Sequence, residues 1–210
     1  MHKPLFEVLE PTFFGVCRDF LAAYPLEEVY AVTLFTTSHS GGLWDCIATT
    51  NSLAIVAQQY LDGGMCGGDS YREKWRTLDV AMRELKWSLP DSPHYGEFGE
   101  RFEAANDIVK SLWRETAEYD DWDENWRATS ATISLIEETC NDVLIKVRDS
   151  GLFAKERVVF SLMMGDESNE SRLVSAEKVN SPEVVAWYRK ELQIDEDRLA
   201  AFRKQRDDEA

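Results

Sequence analysis

Cysteine and histidine are scarce here: four and three respectively among 210 residues, at no spacing that binds metal. Cys17, Cys46, Cys66 and Cys140 are separated by long irregular intervals, whereas structural zinc sites draw their ligands from close pairs. No apolar run approaches the ~20 residues that span a bilayer, so no transmembrane helix is expected. The opening MHKPLFEVLEP carries no signal-peptide pattern, which leads us to expect reduced thiols and a cytoplasmic location. Positive charge is also in deficit, with 23 Lys and Arg against 39 Asp and Glu, for a formal net charge of −16. That sign repels phosphate backbones and anionic lipid surfaces, which argues against nucleic-acid or membrane partners. It favours a basic protein partner and speeds encounter with one.

What is present is enough for a core. Hydrophobic residues make up 44% of the chain and aromatics 11%, so it is not a disordered acidic polymer. Phe6, Leu9, Phe13, Val16, Cys17, Phe20 and Leu21 recur at helical spacing, with Pro11 expected to start, kink or split that helix. Val29–Thr37 and Gly42–Thr50, rich in β-branched and aromatic residues around the turn-forming SHSGG, predict a β-hairpin. Asn51 or Ser52 is the expected cap of a short helix that runs to about Leu61. Phe98, Phe102, Ala105, Val109 and Leu112 predict one amphipathic helix, and Ile133, Ile136, Cys140, Val143 and Val147 another that stops near Gly151. The apolar run RVVFSLMM predicts a central strand buried on both faces. Ser181 and Pro182 mark the cap and first position of a further helix.

This order predicts an α+β fold, with an antiparallel sheet of at least three strands packed against several amphipathic helices. LKWSL is a candidate for a further short strand. Residues 1–194 are read as one domain, and 195–210 as a charged tail, helical and frayed at its end.

Two constellations compete as sites. The stretch Glu118–Trp126, EYDDWDENW, packs five acids and three aromatics into nine residues. Asp121, Asp123 and Asn125 match the first half of a calcium loop, but Trp126 replaces the required glycine and Thr132 the bidentate glutamate. The stretch therefore reads as a connector between helices, whose acids favour the positive end of the next one. It also reads as an interface, with Asp120, Asp121, Asp123 and Glu124 steering a partner and Trp122 and Trp126 supplying contact area. The second constellation lies on two irregular loops, Gly63–Gly68 and Leu85–Tyr95. Cys66, Trp87 and His94 from these loops, with Asp166 after the apolar strand, would form a pocket if the fold brought them together. Turn formation is the competing reading of Asp166, because GDESNES is dense in turn formers. No catalytic residue, metal or cofactor is assigned.

Several segments share a further likeness. Gly151-Leu152-Phe153, the strand Val158–Met164 followed by Asp166, and Asn180-Ser181-Pro182 resemble a bacterial family, domain-of-unknown-function family 4303. Val29–Asn51 is similar to that family's strand pair ending at Asn, and Leu85–Tyr95 to its Lys-Trp-Ser segment. The chain departs from the family pattern at Ser52 and Leu53, where two acids are usual, and at Ser181, which separates Asn180 from Pro182. The resemblance brings no activity with it. By analogy, its small acidic character resembles immunity proteins that neutralise toxins. The leading expectation is thus a non-enzymatic binding protein of immunity or antitoxin type. Its rivals are an enzyme or small-molecule binder built on the two loops, and a homo-oligomer subunit.

Overall fold

The computed structural model describes residues 1–36, 42–63, 75–116, 122–153, 157–164 and 167–209; for 115–116, 122–127 and 206–209 only the backbone is described. Helix α1 (Lys3–Ala23) forms because Leu5, Leu9, Phe13, Val16, Cys17 and Phe20 recur on one face, and all are at most 1% exposed. Pro11 neither starts nor splits it. The proline lies on the exposed side, and the buried stripe continues past it unbroken.

Strands β1 (Val29–Thr36) and β2 (Leu43–Thr49) form the expected hairpin, paired antiparallel. Helix α2 (Thr50–Leu61) follows directly, capped earlier than predicted. Thr49, not Asn51 or Ser52, is the N-cap. Its Oγ1 accepts the Ser52 N–H at 3.0 Å while Ser52 Oγ accepts the Thr49 N–H at 3.1 Å, a reciprocal capping box. Then come α3 (Leu78–Leu85), short 3₁₀ turns at Leu89–Asp91 and Gly99–Phe102, α4 (Glu103–Thr116) and the 28-residue α5 (Trp122–Asp149). LKWSL is therefore the end of α3 and a turn, not a strand. Gly151, at φ +72°, ends α5 in the left-handed conformation that favours glycine.

Strand β3 (Val159–Met164) corrects the predicted sheet twice. Among the described residues the order is β2-β1-β3, and β3 runs parallel to β1, so the sheet is mixed and not antiparallel. A parallel partner needs a long crossover, and the helices between β2 and β3 return the chain to the end where β1 began. β3 is also an edge strand, not a central one. It is still buried on both faces because helices cover both. Phe160 and Leu162 pack into a core with α1, α4 and α5, while Val159 and Met163 pack into a second core with α6 (Asn169–Glu177), α7 (Pro182–Glu191) and α8 (Glu196–Glu209). A third cluster joins α2 to α3 through Leu53, Val56, Trp75, Ala81 and Leu85.

Side chains stand in for a fourth strand along the free edge of β3. Asn180 Oδ1 accepts the Phe160 N–H at 2.9 Å, and its Nδ2 donates to the Phe160 carbonyl at 2.6 Å. Ser175 Oγ donates to the Leu162 carbonyl at 2.7 Å, and the Met164 N–H donates to Glu167 Oε1 at 2.8 Å. An edge so covered offers little for another strand to pair with. The Asn of Asn180-Ser181-Pro182 is thus an edge cap and Ser181 a helix cap, accepting the Val184 N–H.

Candidate functional site

At the end of the sheet where β1 and β3 begin, a cleft of about 560 Å³ opens to solvent. Its walls come from the start of β1 (Glu28, Val29, Tyr30), the first turn of α2 (Thr50, Leu53), the end of α3 (Met82, Arg83, Lys86), the residue Arg157 and the last turns of α7 (Trp187, Glu191). That volume lies within the range of sites that hold small ligands.

Lys86 is held from several sides. Its ammonium lies 5.9 Å from the Tyr30 ring, 5.4 Å from Trp87 and 5.3 Å from Trp187, and it pairs with the Glu191 carboxylate. Ring faces attract a cation, and the counter-ion offsets what desolvation costs it. The rings brace one another. Tyr30 meets Trp87 edge to face at 5.4 Å, Trp187 meets it at 6.1 Å, and Tyr188 supports it from behind at 4.5 Å. The Tyr30 hydroxyl donates to the Lys86 carbonyl at 2.7 Å, and Arg172 donates to the Trp87 carbonyl at 2.9 Å. Burial raises the Tyr30 phenol well above its ordinary range, so it stays protonated and keeps donating. Arg83 and Arg157 complete the rim. Among the described residues Arg83 pairs only with its neighbour Glu84 at 3.6 Å, between two well-exposed side chains, and Arg157 has no carboxylate within 4 Å.

The residues anticipated from sequence fall elsewhere. Asp120 and Asp121 lie outside the described residues, while Trp122, Asp123, Glu124 and Trp126 belong to the first turns of α5, where only the backbone is described. Cys66 and Asp166 are also outside, as is all of the Gly63–Gly68 loop beyond Gly63. Trp87 and His94 are both buried but have different neighbours. Trp87 packs behind the cleft against Tyr30 and Trp187, whereas His94 packs on Phe20 of α1 and on its C-cap Tyr24 at 5.0 and 4.6 Å. His94 Nδ1 lies 2.7 Å from Glu97 Oε2, and Tyr24 donates to Glu97 Oε1 at 2.6 Å. Below them Asp45 of β2 is only 1% exposed. Burial pushes its carboxyl up from 3.8 to about 6, against the Phe98 N–H that Oδ1 accepts at 3.2 Å.

Sequence reasoning reached Trp87, which packs behind the lining residues Tyr30 and Trp187, and missed Tyr30, Lys86, Arg157, Trp187 and Glu191 themselves. The adjacency of Lys86 to Trp87 and the helical spacing of Trp187 and Glu191 were the available signals. Cys17, Cys46 and Cys140 are free and buried, and burial raises each thiol, that of Cys46 to about 12. They are inert packing groups and not nucleophiles. No helix among the described residues is long and apolar enough to cross a membrane. No curated protein and no solved structure shows a significant match to the chain. The model of a family described as "Domain of unknown function (DUF4303)" does match, over residues 14–181 and so most of the length, and the chain belongs to that family.

Proposed function

We propose that the chain is a ligand-binding protein whose cleft takes a small anion with a flat apolar body. One observation carries this reading: three cations, Arg83, Lys86 and Arg157, line a single cavity of a chain whose formal net charge is −16. Lys86 and Glu191 neutralise each other, and among the described residues Arg83 has only its 3.6 Å contact with exposed Glu84, so the two guanidinium groups, with Glu28 exposed at the rim, are the charges that face a ligand. Guanidinium suits carboxylate and phosphate because its planar fork donates two parallel bonds. Trp187, Tyr30 and Leu53 offer apolar surface for the body of the same ligand. Ligand-observed NMR with 2-naphthoate and phenyl phosphate, and with naphthylmethylammonium as the cation, tests the idea. The anions should bind, and Arg83→Ser with Arg157→Ser should weaken them on the order of tenfold. Equal binding of the cation, or no response to the double substitution, would sink it.

A second reading is favoured by the net charge itself. As a cytoplasmic protein of immunity or antitoxin type, the chain would capture a basic protein through Asp120, Asp121, Asp123 and Glu124, with Trp122 and Trp126 as contact area. The acids from Asp123 onward fall at the amino end of α5, where the helix dipole favours them. Affinity capture at low and high salt, with wild type and the fourfold neutralised variant, tests it. A basic protein held by wild type alone and shed by salt supports capture; identical results from both proteins count against it. Light scattering in the same preparation reads self-association.

A further inference from the structure

The cleft lies where β1 breaks its own register. Val29 pairs with Thr49 and Ala31 with Ala48, which leaves Tyr30 as one extra residue in the ladder, a β-bulge. Val32 and Leu34 face the first core, so strict alternation would send Tyr30 there as well. It packs instead on Trp87 and against the second and third clusters, in the wall of the cleft. Bulges re-aim side chains in this way beside functional sites.

Glu28 precedes the bulge, and its backbone is held in place, its carbonyl accepting the Thr50 N–H at 2.9 Å. Two other acids nearby are committed: Glu27 accepts the Thr49 hydroxyl, and Glu191 pairs with Lys86. The Glu28 carboxylate has neither a hydrogen bond nor an ion pair among the described residues, yet it lines the same cavity as Arg83 and Arg157. Two guanidinium groups and one carboxylate therefore border a single cavity with apolar surface between them. A simple anion entering it would approach that carboxylate and a chain of net charge −16. A ligand that carries both charges meets a partner for each, and its net charge of zero removes the long-range repulsion. We propose that the cleft takes an aromatic amino acid, its carboxylate on Arg83 and Arg157, its ammonium on Glu28 and its ring on Tyr30, Leu53 and Trp187. This rests on the anion-binding reading of the cleft and adds the ammonium group to it.

Calorimetric titration of the full chain with three indoles decides it: L-tryptophan, indole-3-propionate, which lacks the ammonium, and tryptamine, which lacks the carboxylate. Tryptophan should bind tightest, and each of the other two should be weaker on the order of tenfold. Glu28→Gln should remove the advantage of tryptophan over indole-3-propionate while leaving indole-3-propionate no weaker. Glutamine keeps the shape of this exposed residue, and circular dichroism checks that the variant folds; should it not, the three ligands decide alone. The proposal is overturned, with the anion reading intact, if indole-3-propionate binds wild type at least as tightly as tryptophan, or if Glu28→Gln leaves their ratio unchanged. If tryptamine binds as tightly as tryptophan, or if none of the three binds at about 20 mM, the anion reading fails and this inference with it.

Discussion

Lys86 and Asp45 are both ionisable side chains set among aromatic and aliphatic neighbours, one in the cleft and one beneath α1. Lys86 keeps 27% of its side chain exposed and has three ring faces and a carboxylate around its charge. Asp45 is 1% exposed, and the backbone N–H of Phe98 is its close donor. Glu97 raises it further, while Arg101 only partly offsets that. The contrast shows what decides whether a charge survives in an apolar wall. The ammonium has a counter-ion and partial hydration beside it; the carboxyl, buried without either, shifts towards its neutral form.

The comparison can be broken most severely at Trp87, which supports Tyr30 and Trp187 of the cleft from behind and fills the second core. Trp87→Ala should cost about 3–5 kcal/mol in urea unfolding and abolish anion binding. If stability falls far less, the aromatic box is not what holds that end together. Next is Asp45→Asn. Native Asp45 keeps its proton up to about pH 6 whereas the free carboxyl releases it near 3.8, so between these values the folded state binds more protons. The stability this group contributes is full below the lower value and is lost as pH rises through the upper one. A neutral amide in its place carries no such loss. The variant should exceed wild type by up to about 3 kcal/mol at pH 7, and the gap should close towards pH 4. A gap that is constant with pH would remove Asp45 as the cause.

A smaller effect is expected at Lys86. Lys86→Leu leaves Glu191 without its partner but keeps the packing, so a loss of about 1 kcal/mol should accompany weaker anion binding. Arg157→Ser sharpens the comparison most finely. This exposed residue should change stability by less than about 0.5 kcal/mol, yet affinity for 2-naphthoate should fall. A loss of binding without loss of stability separates a ligand contact from a structural one.

Much of the local structure was legible because its signals are local. The hairpin follows from two β-branched runs around SHSGG, and α7 from Ser181 followed by Pro182. Helix α6 was missed because GDESNES reads as a turn, while Ser168 in fact caps a helix by accepting the Ser171 N–H. The cleft was not legible in the same sense. Glu28, Arg83, Arg157 and Glu191 come from four segments far apart in the chain, and no spacing marks their convergence.

The sequence by itself determined the α+β class, the acidic character, the family and the faces that helices bury, because periodicity and charge act within a few residues or across the whole chain. Only the tertiary structure decided that β3 lies parallel at the edge, that Asn180 caps it, and that Lys86 lies among three rings. Those outcomes depend on which end of the sheet the chain returns to after a long crossover, and that is settled by packing between elements far apart in sequence.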